Sequence, residues 1–348
     1  MHPPPLPKVL SDGLGASVQY LAILFLLFPA LAYAYAAVKA RRLIWRWSDL
    51  CEALAPAHIY QTQSVRFDIA MFWVQIFLIL PPVTYVGALY TAAQFAKVLQ
   101  HHFGAPQVSL GAGHPIAATA IQILASEILG TFGAYIFHYA GHKVPLLWTL
   151  HQVHHSTDAL SPFTAVRGHP VDTVLGVIVG SAWRAVSVGV ALYFTGGAFT
   201  ATAISLFAIL SLASLVQAAL NHTHVPLCYG WFNRLWVGPS FHQIHHSAEL
   251  KHRDKNLGGG VPVWDWLFGT LYLPRAGETF VMGLNHESLG QANPHNSWRG
   301  YMVEPMIAFG AELRRLVRGA LKRTPEACWV LIDPPPTMSS RPLEPGSG

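Results

Sequence analysis

The sequence predicts an all-α integral membrane protein with four to five transmembrane helices. Three observations carry that expectation. Charged residues make up 11% of the 348-residue chain, against roughly 25% in an ordinary soluble domain. Apolar residues make up 52%, so the chain has too little polar surface to face water all round. The apolar residues also gather in runs of about twenty, the length a helix needs to cross a ~30 Å hydrocarbon core at 1.5 Å per residue.

The first run, SVQYLAILFLLFPALAYAYAAV (17–38), carries no charge. Its AYA resembles a signal cleavage site, but the run exceeds the ~7–15 residues of a signal core, so it reads as a retained span. The second, IAMFWVQIFLILPPVTYVGALYTAA (69–93), holds Pro81-Pro82, a kink that a bilayer helix tolerates. The third, IAATAIQILASEILGTFGAYIF (116–137), carries Glu127 and runs into His138. The fourth, VDTVLGVIVGSAWRAVSVGVALYFTG (171–196), carries Arg184; the fifth, AFTATAISLFAILSLASLVQAAL (198–220), follows after Gly197 as a tight hairpin. Glu127 and Arg184 must face protein or a wet cavity, because a lipid-facing charge costs about 2.5–3.5 kcal/mol or more.

Charge sets the orientation. With the N-terminus outside, the inner segments are 39–68, 138–170 and 221–348. They hold every Lys and Arg except Lys8, Lys97 and Arg184, as the positive-inside rule requires. The net charge of +5 therefore suits membrane flanks. A nucleic-acid partner would need a basic face with interleaved aromatics; here the Lys and Arg lie between apolar segments, so none is expected. Cys51, Cys228 and Cys328 are scattered and odd in number, so neither a disulfide framework nor a CxxC metal site is expected.

The chain divides into a flexible Pro- and Gly-rich tail (1–16), an N-terminal membrane region of two spans (17–115), a histidine-bearing region (116–274), a C-terminal region (275–332) and a disordered tail (333–348). Within the fourth part, PMIAFGAELRRLVRGALKR (305–323) reads as a basic amphipathic helix. It either lies on an anionic membrane surface or docks on the protein's own core.

The chemistry sits in the histidines. Eleven of the 19 fall between residues 138 and 246. His138 and His142 are i, i+4. HQVHHS (151–156) and HQIHHS (242–247) each place histidines at i, i+3 and i+4. On a helix these offsets stack imidazoles one turn apart. A structural cluster of eight buried imidazoles would need eight partners, and a single zinc takes only three or four ligands. The spacing thus points to two metal ions, at the inner ends of membrane segments. It does not choose the metal, since imidazole suits Zn, Cu, Fe and Ni alike. His2, His58, His101, His102, His114, His286 and His295 carry no such pattern and read as surface or loop residues; His252 is borderline.

A resemblance supplies the metal. HYAGH (138–142), LLWTLHQVHHS (146–156), AVRGHP (165–170), NHTHV (221–225), PSFHQIHHS (239–247) and DKNLGGGVPVWDWLFGT (254–270) with the following LYLP resemble, in order and spacing, the fatty acid hydroxylase/sterol desaturase family of integral-membrane di-iron proteins. The branch containing alkylglycerol monooxygenase is the most similar in flavour. The set covers about residues 138–274, and no single motif in it is specific alone. Two departures stand out: Tyr139 where the family commonly has Arg, and Thr131 where an acidic residue is frequent.

The resemblance implies a cytosolic, histidine-rich helical cap holding a dimetal site, with 116–274 as the catalytic domain. It implies iron ligation by His138, His142, His151, His154, His155, His242, His245 and His246, with His222 as a ninth ligand. His169 is a possible ligand or supporting group, as are His224, Asn256 and Asp265. No catalytic residue beyond the metal ligands is implied. Trp264, Trp266 and Phe268 are expected to pack the cap or line a lipid entrance. The implied activity is O2-dependent hydroxylation or desaturation of an unactivated C–H bond in a lipid: a fatty acyl chain, a sterol or an ether lipid. No flavin or Fe–S motif is visible, so the two irons imply an electron donor such as a ferredoxin or cytochrome b5-like protein. The rival classes are a membrane metal transporter, which would place its ligands near the bilayer midplane, a metal-dependent membrane hydrolase, and a catalytically silent lipid-binding relative.

Overall fold

The computed structural model describes residues 22, 26, 28–41, 43–75, 86–106, 109–110, 113–196, 199, 201–225, 227–274, 278, 281–284 and 291–322. The two tails (1–16 and 333–348), the Pro81-Pro82 kink, the Gly197 turn, His2, His286 and Cys328 lie outside them. The described residues are mostly helical and contain no β-strand; one antiparallel bridge joins Ser247 to Met282.

Among the described residues, two helices are long and apolar enough to cross a membrane: Pro115–Lys143 and Pro170–Phe194. They correspond to the third and fourth apolar runs. In chain order the helices used below are α1 (Phe28–Ala40), α2 (Gln63–Val74), α3 (Val86–Phe103), α4 (Pro115–Lys143), α5 (Pro145–His155), α6 (Pro170–Phe194), α7 (Ala201–Asn221), α8 (Pro239–His245), α9 (Val263–Leu267), α10 (Trp298–Met302) and α11 (Glu304–Lys322). α1 and α7 fall in the first and fifth apolar runs. α2 and α3 flank the middle of the second.

α6 packs along α3 and α4. Small residues make the approach close: Ala92 and Ala96 of α3 meet Ala185, Val188 and Leu192 of α6, with Ala203 and Phe207 of α7 completing the core. Such small-residue seams are how helices associate where no water drives them together. Gly133 of α4 lies directly under the Trp183 side chain, where a Cβ would collide with it. The outward surfaces stay apolar: Ile128, Leu129 and Ile136 on α4, and Ile178, Val179, Trp183, Val186 and Val190 on α6 are exposed.

The two charges expected to avoid lipid meet each other. Arg184 Nη1 lies 3.2 Å from Glu127 Oε1 and donates to Ser126 Oγ at 2.8 Å. Glu127 sits in a single π-turn, Ala125–Leu129, inside α4; a wider turn of this kind is a common local adjustment near functional sites.

At the end of α4 the chain turns through Pro145 into α5, and a 3-10 turn, Pro162–Val166, leads into α6. His169 caps α6: its Nδ1 accepts from Val171 N–H, filling one of the free amides of a helix start. Arg167, just before it, is buried in a polar hub. It donates to Val153 O, Ser156 Oγ, Asp68 Oδ1, Asn296 Oδ1 and the His295 carbonyl. Residues 68, 153 and 296 are thus drawn together around one guanidinium.

His295 corrects an expectation. It is buried, and its Nδ1 donates to Gly300 O at 2.8 Å. The 3-10 turn Pro294–Asn296 is a loop in sequence, but the Arg167 hub pulls it inward. His252, the borderline case, is fully buried between Ser247 Oγ and Glu278 Oε1. His58, His101, His102 and His114 are exposed as expected.

α11 packs near α5, but five of its apolar residues stay exposed, Met306, Ile307, Leu313, Leu316 and Val317, as do Arg314, Arg315 and Arg318.

Candidate metal centre

Nine imidazoles converge. They form two groups, and within each the candidate ligand atoms all lie within 4.8 Å of one another: His138, His142, His151, His155 and His245 in one, and His154, His222, His242 and His246 in the other. These are the eight box histidines and the ninth, His222. His169 and His224 belong to neither group. His169 holds the α6 cap and contacts Met302 O; His224 packs edge-on against Phe28 and Tyr60.

The doubled motif has a geometric logic. In HQVHHS, His151 and His155 enter the five-histidine group and His154 enters the four-histidine group. In HQIHHS the assignment is exchanged: His242 and His246 join the four, and His245 joins the five. Residues i and i+4 lie nearly on one line along a helix, while i+3 is offset to one side. Each motif therefore gives two imidazoles to one group and one to the other, and neither group is complete without both.

Local structure sets the tautomers. The Nδ1 atoms of His138, His154, His222 and His245 each face a backbone carbonyl: Leu257 O at 2.7 Å, Arg167 O at 2.7 Å, Ala218 O at 2.8 Å and Lys255 O at 2.9 Å. A carbonyl can only accept, so each Nδ1 carries the hydrogen and each Nε2 keeps its lone pair. His151 Nδ1 likewise donates to Asp172 Oδ2 at 2.9 Å, and His142 Nδ1 lies 3.3 Å from Asp254 Oδ1. This is the outer support that fixes metal-binding imidazoles. The Nε2 atoms of His138, His142, His151, His155 and His245 are all buried without a hydrogen-bond partner.

Those orphaned atoms test whether a metal fits. Five buried ring nitrogens without hydrogen-bond partners are costly, and a cation among their lone pairs removes the cost. In the four-histidine group, His154 Nε2 stands 3.5 Å from His222 Nε2, and His242 Nε2 lies 3.0 Å from His222 Nε2 and 3.1 Å from His246 Nε2. Since His154 and His222 carry their hydrogens on Nδ1, their facing Nε2 atoms are two acceptors. Two nitrogens bound to one ion at ~2.1 Å stand about 3.0–3.4 Å apart for cis-octahedral or tetrahedral angles, close to the spacings observed.

The electrostatics agree. Burial, reinforced by neighbouring imidazoles, holds His154, His155, His242, His245 and His246 well below the ordinary 6.5, and burial lowers His222 to about 4. Neutral imidazole is the form that ligates a metal. On the other side, the His142 imidazole, with Lys143 beside it, holds the Asp254 carboxyl down at about 2. Trp148 roofs the five-histidine group, with its ring 5.4 Å from His142 and 5.8 Å from His155.

Asn256 and Asp265 lie outside both groups. Asp265 accepts from Leu257 N–H, Gly258 N–H and Thr270 Oγ1, and so holds the loop whose Leu257 carbonyl orients His138. Asn256 donates to Phe241 O and accepts from Tyr272 N–H. Trp264 Nε1 donates to Ile128 O and Thr131 Oγ1 on α4, and its ring meets Phe132. Phe268 stacks on Tyr135, while Trp266 is exposed.

Four contributors escaped sequence reasoning: Asp172, Asp254, Gly141 and Asp68. The acids carried a signal. With only 17 Asp and Glu in the chain, an acid beside an apolar run stands out. Gly141 carried none, because its role is to let the His151 ring lie against α4: a Cβ there would stand 3.1 Å from His151 Cγ.

Comparison with known proteins agrees with this geometry. Residues 123–270 match the family model described as fatty acid hydroxylase. An ornithine lipid hydroxylase from Rhizobium tropici is 26% identical over 54% of this chain and 50% of its own length. A human (Homo sapiens) alkylglycerol monooxygenase is 32% identical over 46% of this chain and 33% of its own. A Delta(7)-sterol-C5(6)-desaturase from Nicotiana tabacum is 28% identical over 42% of this chain and 48% of its own. The matched region thus spans half or less of each of these relatives. No solved structure matches. Residues 123–270 of this chain thus match a fatty acid hydroxylase domain.

Proposed function

We propose that the protein is a membrane-bound oxidoreductase that hydroxylates or desaturates an unactivated C–H bond of a lipid, with two iron ions, O2 and electrons from an external donor. The observation that carries this reading is the division of nine histidines into groups of five and four, with Nε2 lone pairs turned inward. The family match supports the reaction class.

His138, His142, His151, His155 and His245 would hold one ion, and His154, His222, His242 and His246 the other. When bound, the ions supply O2 activation and the oxidising power to remove hydrogen from carbon. Hydroxylation consumes one C–H, O2, two electrons and two protons, and yields an alcohol and water; loss of a second hydrogen from the adjacent carbon gives an alkene instead. The sequence carries no flavin or Fe–S motif, and in this reading a ferredoxin or cytochrome b5-like partner supplies the electrons.

The rest of the chain positions and shields. The carbonyls of Arg167, Ala218, Lys255 and Leu257 fix four ring orientations, and Trp148 keeps water from the five-histidine group. The exposed Trp266, Leu267 and Phe268 stand beside membrane-length α4 through Trp264 and Phe132, a placement that suits lipid entry from the bilayer. The exposed apolar residues of α11, flanked by Arg314 and Arg318, support the surface-lying reading of that helix against an anionic, cytoplasmic leaflet.

The test is O2-dependent product formation in membranes carrying the full chain, with lipid extracts of deletion and wild-type cells compared to find the substrate. A lipid that gains oxygen or a double bond only with the wild-type chain supports the proposal. Metal-replete, folded protein that oxidises no cellular lipid with a ferredoxin or cytochrome b5-type donor present would count against it, and in favour of a silent or transporting relative.

A further inference from the structure

The segment Asp254-Lys255-Asn256-Leu257 touches three of the nine imidazoles. His142 Nδ1 lies 3.3 Å from Asp254 Oδ1, His245 Nδ1 donates to Lys255 O at 2.9 Å, and His138 Nδ1 donates to Leu257 O at 2.7 Å. These rings come from two helices about a hundred residues apart, α4 and α8. All three belong to the five-histidine group. The supports of the four-histidine group lie elsewhere: Arg167 O for His154 and Ala218 O for His222.

The segment is built for this. Asp254 and Asn256 both adopt left-handed backbone, with φ of 58° and 56°. Side chains other than glycine rarely do so, and Asp and Asn tolerate it best. Two left-handed residues in alternation re-aim the chain, and the Lys255 and Leu257 carbonyls both end on imidazoles. The conformation is held on every side. Lys143 Nζ donates to Asp254 Oδ2 at 2.5 Å. Asn256 N–H donates to Thr270 O, its side-chain amide donates to Phe241 O, and its Oδ1 accepts from Tyr272 N–H. Asp265 clasps the next two amides. Phe241 precedes His242, so Asn256 also sets the separation between this segment and α8.

We propose that residues 254–257 are the positioning strap of the five-histidine metal ion, with Asp254 and Asn256 as its positioning residues. The strap joins His138 and His142 of α4 to His245 of α8 and leaves the four-histidine ion to other supports. This rests on the proposal that each histidine group holds an ion. It adds that the two sites fail separately.

The experiment uses the full chain in detergent, loaded with Co2+ as the probe. Metal content, chelator competition and the visible Co2+ spectrum are read on wild type, Asp254→Ala, Asp254→Asn, Asn256→Ala and Asn256→Gly. Wild type should release two ions per chain. In Asp254→Ala one ion should leave at about 10–100-fold lower chelator concentration, with the matching part of the spectrum lost, while the second ion leaves as in wild type. Asn256→Ala should weaken the same ion by far the more, with a smaller effect on the second through Phe241 and the adjoining His242. Asn256→Gly, which restores left-handed freedom without the side-chain bonds, should recover part of the loss. Asp254→Asn keeps size and left-handed tolerance and removes the charge, so it carries the test whether or not Asn256→Ala folds. A folded His222→Ala chain should weaken the other ion. Equal weakening of both ions in the strap variants, or wild-type retention of both, would overturn the strap and leave the two-ion reading standing. A wild-type chain that binds one Co2+ or none would overturn both.

Discussion

Arg167 Nη1 and Asp68 Oδ1 meet at 2.5 Å, and neither side chain exposes any surface to solvent. The pair ties α2, ahead of the long helices, to the turn that enters α6. The same Arg167 offers its backbone carbonyl to His154 Nδ1 and its side chain to Val153 O. A buried charge left without its partner costs roughly 3–5 kcal/mol, whereas replacing both by apolar residues is far milder. Arg167→Met and Asp68→Leu are each expected to lower the unfolding midpoint in detergent sharply. The double substitution is expected to recover much of the loss. Additive losses in the double variant would show that the pair is not coupled.

Gly141 lies between His138 and His142 in chain order and under the His151 ring. Gly141→Ala places a methyl at 3.1 Å from His151 Cγ, tighter than ordinary contact. The ring must shift by a few tenths of an ångström, and its bond to Asp172 shifts with it. Metal affinity of the five-histidine group is expected to fall about tenfold, with helix content unchanged by circular dichroism. Unchanged chelator competition would refute this.

Single-histidine variants should sort by geometry and not by motif. His154→Ala removes a member of the four-histidine group and His245→Ala a member of the five, so each should abolish oxidation. Neither copy of the motif holds a spare imidazole at the vacated place. His169→Ala and His224→Ala should keep both ions. His295→Ala should keep both ions yet lose stability by about 1–3 kcal/mol, because Gly300 O loses its buried donor. Loss of metal in His224→Ala would break this ordering.

In the chelator-stripped chain the buried imidazoles make stability depend on pH. Their folded values are depressed, His222 to about 4 and His154, His155, His242, His245 and His246 well below 6.5. The unfolded chain binds protons near 6.5, so it gains protons first as pH falls. Stability is then complete above about 6.5 and declines as pH falls from there toward about 4. Melting of the stripped chain at pH 7.5 and 5.5 checks the sign: the midpoint must drop at 5.5. Metal-loaded protein should show a smaller drop until the ions leave.

Reporter fusions test the orientation that the basic residues imply. Fusions near residues 50, 150 and 250 should report the cytoplasmic side, and fusions near 105 the opposite one. Opposite reports from 150 and 250 are incompatible with a shared cluster of His154, His242 and His246.

Much of this was legible in one dimension. Helical spacing announced that His138, His142 and the two HxxHH motifs would present imidazoles one turn apart; His222 was named by the family resemblance and by no spacing of its own. Spacing is local, and helix geometry is nearly invariant, so such a pattern survives folding unchanged. Run length and low charge announced α4 and α6 in the same way, because bilayer thickness fixes how many apolar residues a helix needs. The pairing of Glu127 with Arg184 was half legible. The cost of a bare charge in lipid required a refuge, but not this one.

What the sequence determined by itself was the inventory: apolar runs of membrane length, eight histidines at helical spacing and a set of motifs that resemble one family. Only the tertiary structure decided how the nine divide. That His154 leaves its own motif to join His222, His242 and His246, while His245 crosses to His138 and His142, depends on how α5 and α8 are rotated against each other. The same holds for Asp172, Asp254 and Arg167, whose value lies in contacts with rings 13 to 112 residues away. His295 looked like a loop residue and is buried, because a guanidinium 128 residues earlier holds its carbonyl. Local chemistry is written along the chain; which lone pairs meet is set by packing between segments that the chain order leaves far apart.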